Sequence, residues 1–326
     1  MTTHPYDRLN PDMIIDAVES VGYLSDARLL ALNSYENRVY QVGIEDSAPL
    51  IAKFYRPERW SEAQIQEEHH FSLELQDAEI SVVAPIVDEQ GVTLHTYQDF
   101  QFALFPRRGG YPPELDNLDN MLVLGRTLGR IHAVGRAGQF NVRHSMSVQR
   151  MLSESRELLL EGFMPRSLLP AYESLTADLK QIVESVYSEV QPEDLIRIHG
   201  DCHIGTILWR DNTAHFVDFD DCCTAPAIQD LWMFLNGERN DRQLQLSELV
   251  EGYSEFCDFD PRQIRWIETL RTLRLINYAA WLARRWEDPA FPRSFTWFNT
   301  ERYWADHILE LREQMSALQE EPLRLL

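Results

Sequence analysis

The stretch from Ile198 to Asp221 constrains the fold of this chain more than any other. Its 24 residues contain five aspartates and three histidines, and the apolar runs between them have the length of strands rather than helices. His199-Gly200-Asp201 ends one predicted strand, and a later strand leads to Asp218. Carboxylates on loops at strand ends suit proton abstraction and hard-cation binding, because both tasks use ionised oxygen atoms. The pattern therefore predicts a chemical site rather than two turn caps.

Composition and charge narrow the class of protein. The chain has 326 residues, with 52 acidic and 30 basic side chains and a net charge of −22. This charge argues against nucleic-acid binding, which needs clustered Lys and Arg. The sequence has no apolar run of membrane-spanning length and no signal pattern, so we expect no membrane association. We also expect a cytoplasmic protein that is a monomer. The four cysteines form no C-x-x-C motif, which favours reduced thiols; metal binding by Cys222 and Cys223 is a weaker alternative.

The first third of the chain predicts a β-rich region with two helices. Asn10 caps a helix that ends before Gly22, and Ser61 caps a second, longer helix. Between them, NRVYQVGIEDSAPLIAKFY predicts a β-hairpin that turns at residues 45–47. Three further strands are predicted at SVVAPIVD, TLHTYQ and FQFALFP.

The remainder is predicted to be mainly helical. A helix is expected at residues 118–134, and long amphipathic helical stretches are expected at residues 148–190, 226–256 and 262–286. Strands are expected at LIRIHGD, TILW and AHFVDF. We therefore predict an α+β, bilobal fold. Its small β-rich N-lobe would comprise residues 1–105, its larger C-lobe residues 106–326, and a ligand cleft would lie between the lobes.

The order of the polar motifs is that of a protein kinase. The kinase catalytic loop has an asparagine five residues after its aspartate, and a D-F-G aspartate follows downstream. Here Asp201 is followed five residues later by Thr206, and then by Asp218-Phe219-Asp220. Upstream, Leu50-Ile51-Ala52-Lys53 matches the strand whose lysine contacts ATP phosphates. Each motif alone is weak evidence, but the ordered set is strong.

Longer blocks carry a resemblance to a known family. HGDxHxGx, VDFDD, LGRTLGRIHAVGR and PAIQDLWMFLNG resemble the aminoglycoside phosphotransferase and choline kinase superfamily. Within that superfamily, the bacterial stress response kinase A family is most similar in LNSYENRVYQV, AKFYRPERW, HGDCHxGxILWRD, QDLWM and RRWEDPAFP. These blocks span residues 32–292. The resemblance implies a protein-kinase-like fold. It also implies a serine/threonine protein kinase of a bacterial stress response that uses ATP and Mg²⁺ and also phosphorylates itself.

The resemblance also implies roles for individual residues. Asp201 would be the catalytic base, and Asp218 would be the second catalytic aspartate and the ligand of Mg²⁺. Lys53 would contact the α- and β-phosphates of ATP, and Ser34 would contact phosphate from the first hairpin. Asp230 is expected to hydrogen-bond the backbone of the catalytic loop.

The carboxylate that pairs with Lys53 is expected on the second helix, where Glu67 and Glu68 compete. Glu68 is the better candidate, because Phe71 and Leu75 lie three and seven residues further on and share its inward face. Glu68 is therefore predicted to belong to the nucleotide-binding residues.

Thr206 departs from the family pattern, in which this position is normally an asparagine that reaches the second magnesium ion. A threonine hydroxyl can bind Mg²⁺, but the side chain is about one bond too short for direct replacement. Three interpretations stay open: a kinase with a water-bridged metal, a weakened kinase, and a nucleotide-binding pseudokinase. The retention of Lys53, Asp201 and Asp218 favours activity.

Other functions are also compatible with the sequence. The segment between Asp218 and the helix near Pro226 is too short for an activation segment ending in A-P-E, which suits a small alcohol acceptor such as choline, homoserine or an aminoglycoside. A metal-dependent hydrolase built from His199, Asp201, His203 and Asp218 is a second alternative. A non-catalytic scaffold that senses ATP is a third.

Overall fold

The computed structural model of the chain describes residues 5–326. These residues form two compact units. The first unit contains the described residues up to Glu114 together with Phe140–Arg143 and His203–Cys222. The second contains Leu115–Gln139, His144–Cys202 and Cys223–Leu326. The predicted boundary between residues 105 and 106 stays a prediction.

The secondary structure is mixed, as predicted. The strands are β1 Ser25–Ala31, β2 Arg38–Ile44, β3 Leu50–Phe54, β4 His95–Tyr97, β5 Phe100–Pro106, β6 Leu195–Ile198, β7 Ile207–Arg210, β8 Thr213–Phe216 and β9 Cys223–Pro226. The helices are α1 Pro11–Ser20, α2 Glu62–Asp77, α3 Leu118–Ala137, α4 Glu154–Gly162, α5 Leu169–Tyr187, α6 Ile228–Trp232, α7 Arg239–Ser254, α8 Ile267–Arg284, α9 Ala290–Ser294 and α10 Glu301–Ala317. Among the helices of residues 5–326, none combines the length and apolar character that a bilayer crossing requires.

A five-stranded antiparallel sheet organises the first unit, with the strand order β1-β2-β3-β5-β4. The central strand β3 pairs with β2 in the predicted hairpin and with β5 on its other side. One face is fully buried at Ala52 and Phe54, which pack with Val18 of α1. The sequence encodes both helices locally: Asn10 accepts a hydrogen bond from Met13 N at the start of α1, and Ser61 forms a capping box at the start of α2.

The strand predicted at SVVAPIVD is wrong. Val82 makes an isolated bridge to Phe216, and the following amides bond to two different strands. Val83 N donates to Phe216 O at 2.9 Å, whereas Ile86 N donates to Leu104 O at 2.7 Å. Pro85 lies between them and has no N–H to donate. The segment therefore crosses from β8 to β5 instead of joining one ladder.

The strand β1 is absent from the predictions because its sequence does not alternate. Its pairing with β2 shifts register between Ser25 and Leu29, and Ala27 has a φ of 65°. As the strand at one end of the sheet order, β1 buries little of its surface. An irregular edge strand has no apolar period that a sequence pattern could reveal.

The second unit is mainly helical, and two of its predicted amphipathic stretches each contain two α-helices. The region 148–190 starts with a π-helical turn, and α4 and α5 are separated around Pro165. The region 226–256 contains α6 and α7, separated at Gly237, whose φ is 80°. The region 262–286 begins as a 3₁₀ turn before α8. The amphipathic pattern of the sequence continues across these breaks, so it does not indicate where one helix ends and the next begins.

Close packing of α3 against α7 depends on glycines. A Cβ atom added at Gly129 would lie 2.4 Å from Tyr253 O, and one added at Gly125 would lie 2.1 Å from Leu249 O. These are backbone atoms of α7, which cannot move without displacing the helix. The two helices can therefore approach this closely only without side chains at these positions.

We expect Gly129→Ala to lower the free energy of unfolding by about 1–3 kcal/mol, because the added methyl group overpacks a rigid helix contact. Chemical denaturation would measure the change. Gly162→Ala is the matched control, since an added Cβ at this glycine of α4 meets no atom within 4 Å. Equal stability of the two variants would contradict the proposed role of the α3–α7 contact.

Candidate active site

Lys53 lies in the middle of β3, where Val39 of β2 and Ala103 of β5 are its register partners. Its neighbours Ala52 and Phe54 are buried, and Lys53 itself is only 6% exposed. A lysine is almost never buried to this extent without a charged partner. The position therefore requires carboxylates nearby.

Three carboxylates surround the ammonium group of Lys53. Nζ lies 3.2 Å from Glu68 Oε1, 3.2 Å from Asp218 Oδ1 and 3.1 Å from Asp220 Oδ1. Burial alone would lower the pKa of Lys53, but the carboxylates of Asp220 and Glu68 raise this pKa well above its usual value. The lysine is therefore charged at neutral pH.

The two candidate glutamates of α2 point to different partners. Glu68 is buried and pairs with Lys53. Burial raises the pKa of Glu68 to about 7, against the lowering effect of Lys53. Glu67 instead accepts hydrogen bonds from the backbone N–H groups of Asn141, Val142 and Arg143, at 2.6, 3.0 and 2.8 Å. The lysine partner in the structure is thus Glu68, while its predicted role towards nucleotide stays a prediction.

Asp218 follows β8 in a left-handed backbone conformation, with φ 62° and ψ 66°. Such a conformation is uncommon for residues other than glycine and often occurs at functional sites. The side chain of Asp218 is 59% exposed, whereas that of Asp220 is 5% exposed. Of these two carboxylates, Asp218 is therefore the one that can accept an external cation.

Asp220 is a central residue of this cluster that the sequence analysis did not single out. It contacts Lys53 and also pairs with the guanidinium of Arg59. Burial alone would raise the pKa of Asp220, but Arg59 and Lys53 hold it well below its usual range. Arg59 Nη2 also lies 2.6 Å from Asp221 Oδ1. The run of acids in VDFDD was the available signal, but only the fold shows which acid is buried.

Arg143 connects α2 to the turn that follows Asp218. Its guanidinium donates to Cys222 O at 2.6 Å, to Gln64 O at 3.0 Å and to Asp220 O. The same group lies over the Trp60 ring, 4.5 Å from its centroid. Arg143 therefore fixes the backbone on both sides of the Lys53 cluster.

The turn between β1 and β2 contains Ser34, the residue predicted to contact phosphate. Its hydroxyl donates to Asn37 O at 3.1 Å. Arg56 holds the same turn, because its Nε donates to Glu36 O at 3.0 Å and its N–H donates to Asn37 Oδ1 at 3.0 Å. Ser34 thus shapes its own turn in this structure, and its contact with ATP stays a prediction.

In the second unit, Asp230 fixes the backbone that precedes Asp201. Its carboxylate accepts hydrogen bonds from His199 N at 2.8 Å and Gly200 N at 2.9 Å. Asp230 Oδ2 also lies 3.0 Å from His132 Nε2 in a fully buried contact. The predicted structural role of Asp230 is confirmed. Gly200 has a φ of 87°, a conformation that glycine adopts without strain.

Thr206 ends a 3₁₀ turn that begins after His203. The Thr206 hydroxyl donates to His203 O at 2.8 Å and accepts from His203 N at 3.2 Å. His203 Nδ1 in turn accepts from Gly205 N at 2.9 Å. Both side chains therefore stabilise their own turn. Among the described residues, no group of three or more His, Cys, Asp or Glu side chains forms a ready metal cluster.

Comparison with known proteins assigns the family. A family model described as the phosphotransferase enzyme family matches residues 28–267. The chain belongs to the phosphotransferase enzyme family. The match includes the strand of Lys53 and the segment containing Asp201 and Asp218, so it covers the candidate site.

Two curated relatives match at full length. Stress response kinase A of Escherichia coli O157:H7 is 46% identical over 321 residues, which cover 98% of this chain and 97% of that protein. Serine/threonine protein kinase RdoA of Salmonella typhimurium strain LT2 is 44% identical over 324 residues, with coverage of 98% and 97%. The family resemblance predicted from the sequence is confirmed.

Solved structures share the fold at low sequence identity. An amicoumacin kinase in complex with AMP-PNP, Ca²⁺ and Ami has a TM-score of 0.76 at 18% identity, covering 98% of this chain and 95% of its own. A spectinomycin phosphotransferase in complex with ADP and spectinomycin has a TM-score of 0.64 at 15% identity, with coverage of 94% and 98%. A choline kinase from Cryptosporidium parvum Iowa II has a TM-score of 0.63 at 12% identity, with coverage of 95% and 96%. The predicted α+β, kinase-like fold class is confirmed.

We expect Asp220→Asn to lower the free energy of unfolding by about 3–5 kcal/mol, because removal of a buried carboxylate leaves Lys53 and Arg59 without their shared partner. Asp221→Asn is the matched control, since its side chain is 44% exposed and an exposed ion pair contributes about 0–1 kcal/mol. Urea denaturation would measure both variants. A similar loss in the two variants would contradict the central position of Asp220.

Proposed function

We propose that this chain is an ATP- and magnesium-dependent kinase that phosphorylates serine or threonine side chains of proteins, including its own, in a bacterial stress response. The ion-pair cluster of Lys53, Glu68 and Asp218 is the observation that carries the proposal. It holds a cationic group and an exposed carboxylate next to each other. A triphosphate and its metal ion need these two groups.

Each proposed role follows from the chemistry of the side chain. Lys53 would bind phosphate oxygens with a charge that its carboxylate partners maintain, and Glu68 would hold that ammonium group. Asp201 would accept or orient the proton of the acceptor hydroxyl, a contribution of roughly 10²–10⁴-fold in rate. Ser34 would offer its hydroxyl or N–H to a phosphate oxygen from the β1–β2 turn.

The residues present fit a magnesium ion. Mg²⁺ usually binds one or two carboxylates, several waters and the substrate phosphates, and the exposed carboxylate of Asp218 supplies such a ligand. Bound Mg²⁺ would neutralise charge that develops on the transferred phosphoryl group. AMP-PNP and Ca²⁺ in the amicoumacin kinase structure support a nucleotide with a divalent cation in this fold.

The acceptor is proposed to be protein because of the full-length relative named as a serine/threonine protein kinase. A small alcohol is the second candidate. The structure has α6 beginning at Ile228, ten residues after Asp218, and this stretch is too short for an activation segment ending in A-P-E. The amicoumacin, spectinomycin and choline kinases of similar fold have small-molecule names.

Incubation of the protein with γ-labelled ATP and Mg²⁺ would test the proposal, with generic protein acceptors beside choline, homoserine and an aminoglycoside. We expect label in protein, and a loss of roughly 10²–10⁴-fold in Asp201→Asn, which lacks the base. Asp211→Asn is the matched control, because Asp211 lies in the exposed turn between β7 and β8.

Three other outcomes of these assays would each indicate a different function. Label only in a small alcohol would overturn the protein acceptor. ATP binding without transfer to any acceptor would indicate a scaffold. Activity that survives in Lys53→Ala and needs no nucleotide would indicate a hydrolase.

Thr206→Asn is expected to raise turnover and to lower the magnesium concentration needed for half-maximal rate. The threonine hydroxyl already bonds to the His203 backbone, whereas the longer asparagine can direct its amide oxygen towards a cation. A magnesium titration of the rate would measure both effects, with Thr206→Ser as the control that keeps the hydroxyl. An unchanged or reduced rate in Thr206→Asn at every magnesium concentration would refute this expectation.

A further inference from the structure

An arginine far from Asp201 in sequence contacts its carboxylate. Arg274 lies near the middle of α8, and its Nη1 lies 2.6 Å from Asp201 Oδ1. The two side chains are 34% and 31% exposed, so the pair is partly shielded from water but reachable by a substrate. Arg274 belongs to none of the motifs that point to phosphoryl transfer.

The elements on both sides of this pair are well anchored. The backbone before Asp201 is held by Asp230, and Gly200 O also accepts from Gln229 Nε2 at 3.4 Å. One turn before Arg274, the guanidinium of Arg271 lies 5.0 Å from the centroid of the Trp232 ring of α6. Thus α6 fixes the main chain of the catalytic loop, and α8 presents a guanidinium to the side chain that the loop carries.

The chemistry of the pair suits a catalytic carboxylate. A guanidinium makes charge-assisted hydrogen bonds that restrict the rotation of its partner. A carboxylate has about four acceptor positions, so the contact with Arg274 does not by itself prevent it from accepting a hydrogen bond from a hydroxyl group. The positive charge also offsets repulsion between the carboxylate and a transferring phosphoryl group.

We propose that Arg274 is a positioning residue for phosphoryl transfer, which holds the Asp201 carboxylate in the orientation that receives the acceptor hydroxyl. The inference rests on the proposed kinase function, because it assigns Asp201 the role of base. It makes activity depend on a residue of α8, which lies outside the motifs around Asp201.

Steady-state kinetics of Arg274→Gln and Arg274→Lys would test the inference. We expect Arg274→Gln to lower kcat by about 10-fold or more, because the substitution removes the charged contact that orients Asp201. The KM for ATP should change little. Arg274→Lys should recover part of the rate, because the ammonium keeps the charge but not the planar fork. A rise in the KM for ATP with unchanged kcat would overturn the positioning role.

Arg126→Gln is the matched control, since Arg126 of α3 makes a comparable ion pair with Glu255 in the same unit. Its kcat should equal that of the wild type. An equal loss in Arg126→Gln and Arg274→Gln would overturn the inference, because it would show a general effect of removing an ion pair.

A thermal double-mutant cycle tests the contact without any need for turnover. The Tm shifts of Arg274→Gln and Asp201→Asn should be non-additive in the double variant, because each removes the same pair. Additive shifts would overturn the inference even if the enzyme is active. Failure of the wild type to phosphorylate any acceptor, together with non-additive shifts, would instead refute the proposed function and leave the Arg274–Asp201 contact standing.

Discussion

The ion pairs of the buried Lys53 ammonium determine how β3, α2 and the turn after Asp218 fit together. A charge in this position is tolerated only when carboxylates compensate for lost hydration. Glu68 comes from α2, while Asp218 and Asp220 come from the turn after β8. The buried ammonium group of Lys53 therefore requires α2 and the turn after β8 to lie close to each other. Arg143 reinforces the convergence by bonding to the backbone of both segments.

Features with a local cause could be predicted from the sequence. The Asn10 cap, the β2–β3 hairpin and the capped start of α2 depend on residues within a few positions of one another. The orientation of Glu68 follows from the period of its own helix, since Phe71 and Leu75 are buried on the same side. Lys53 could be identified as a candidate site residue because its neighbours along the strand are apolar.

Features that depend on distant partners could not be predicted. Asp220 and Asp221 are adjacent and chemically identical, and only the positions of Lys53 and Arg59 make one buried and the other partly exposed. Arg274 has no sequence neighbour that indicates its contact with Asp201. The segment with Pro85 was wrongly predicted as a strand because apolar composition does not reveal which strands its amides contact.

The charge of the Lys53 cluster has a consequence for the proposed binding of nucleotide. Five carboxylates, those of Glu36, Glu68, Asp218, Asp220 and Asp221, meet four cations, those of Lys53, Arg56, Arg59 and Arg143. A bare polyanion would add to this negative excess, whereas a polyanion carrying a divalent counter-ion would reduce it. The electrostatic balance therefore favours a polyanion that carries its divalent counter-ion over a bare polyanion.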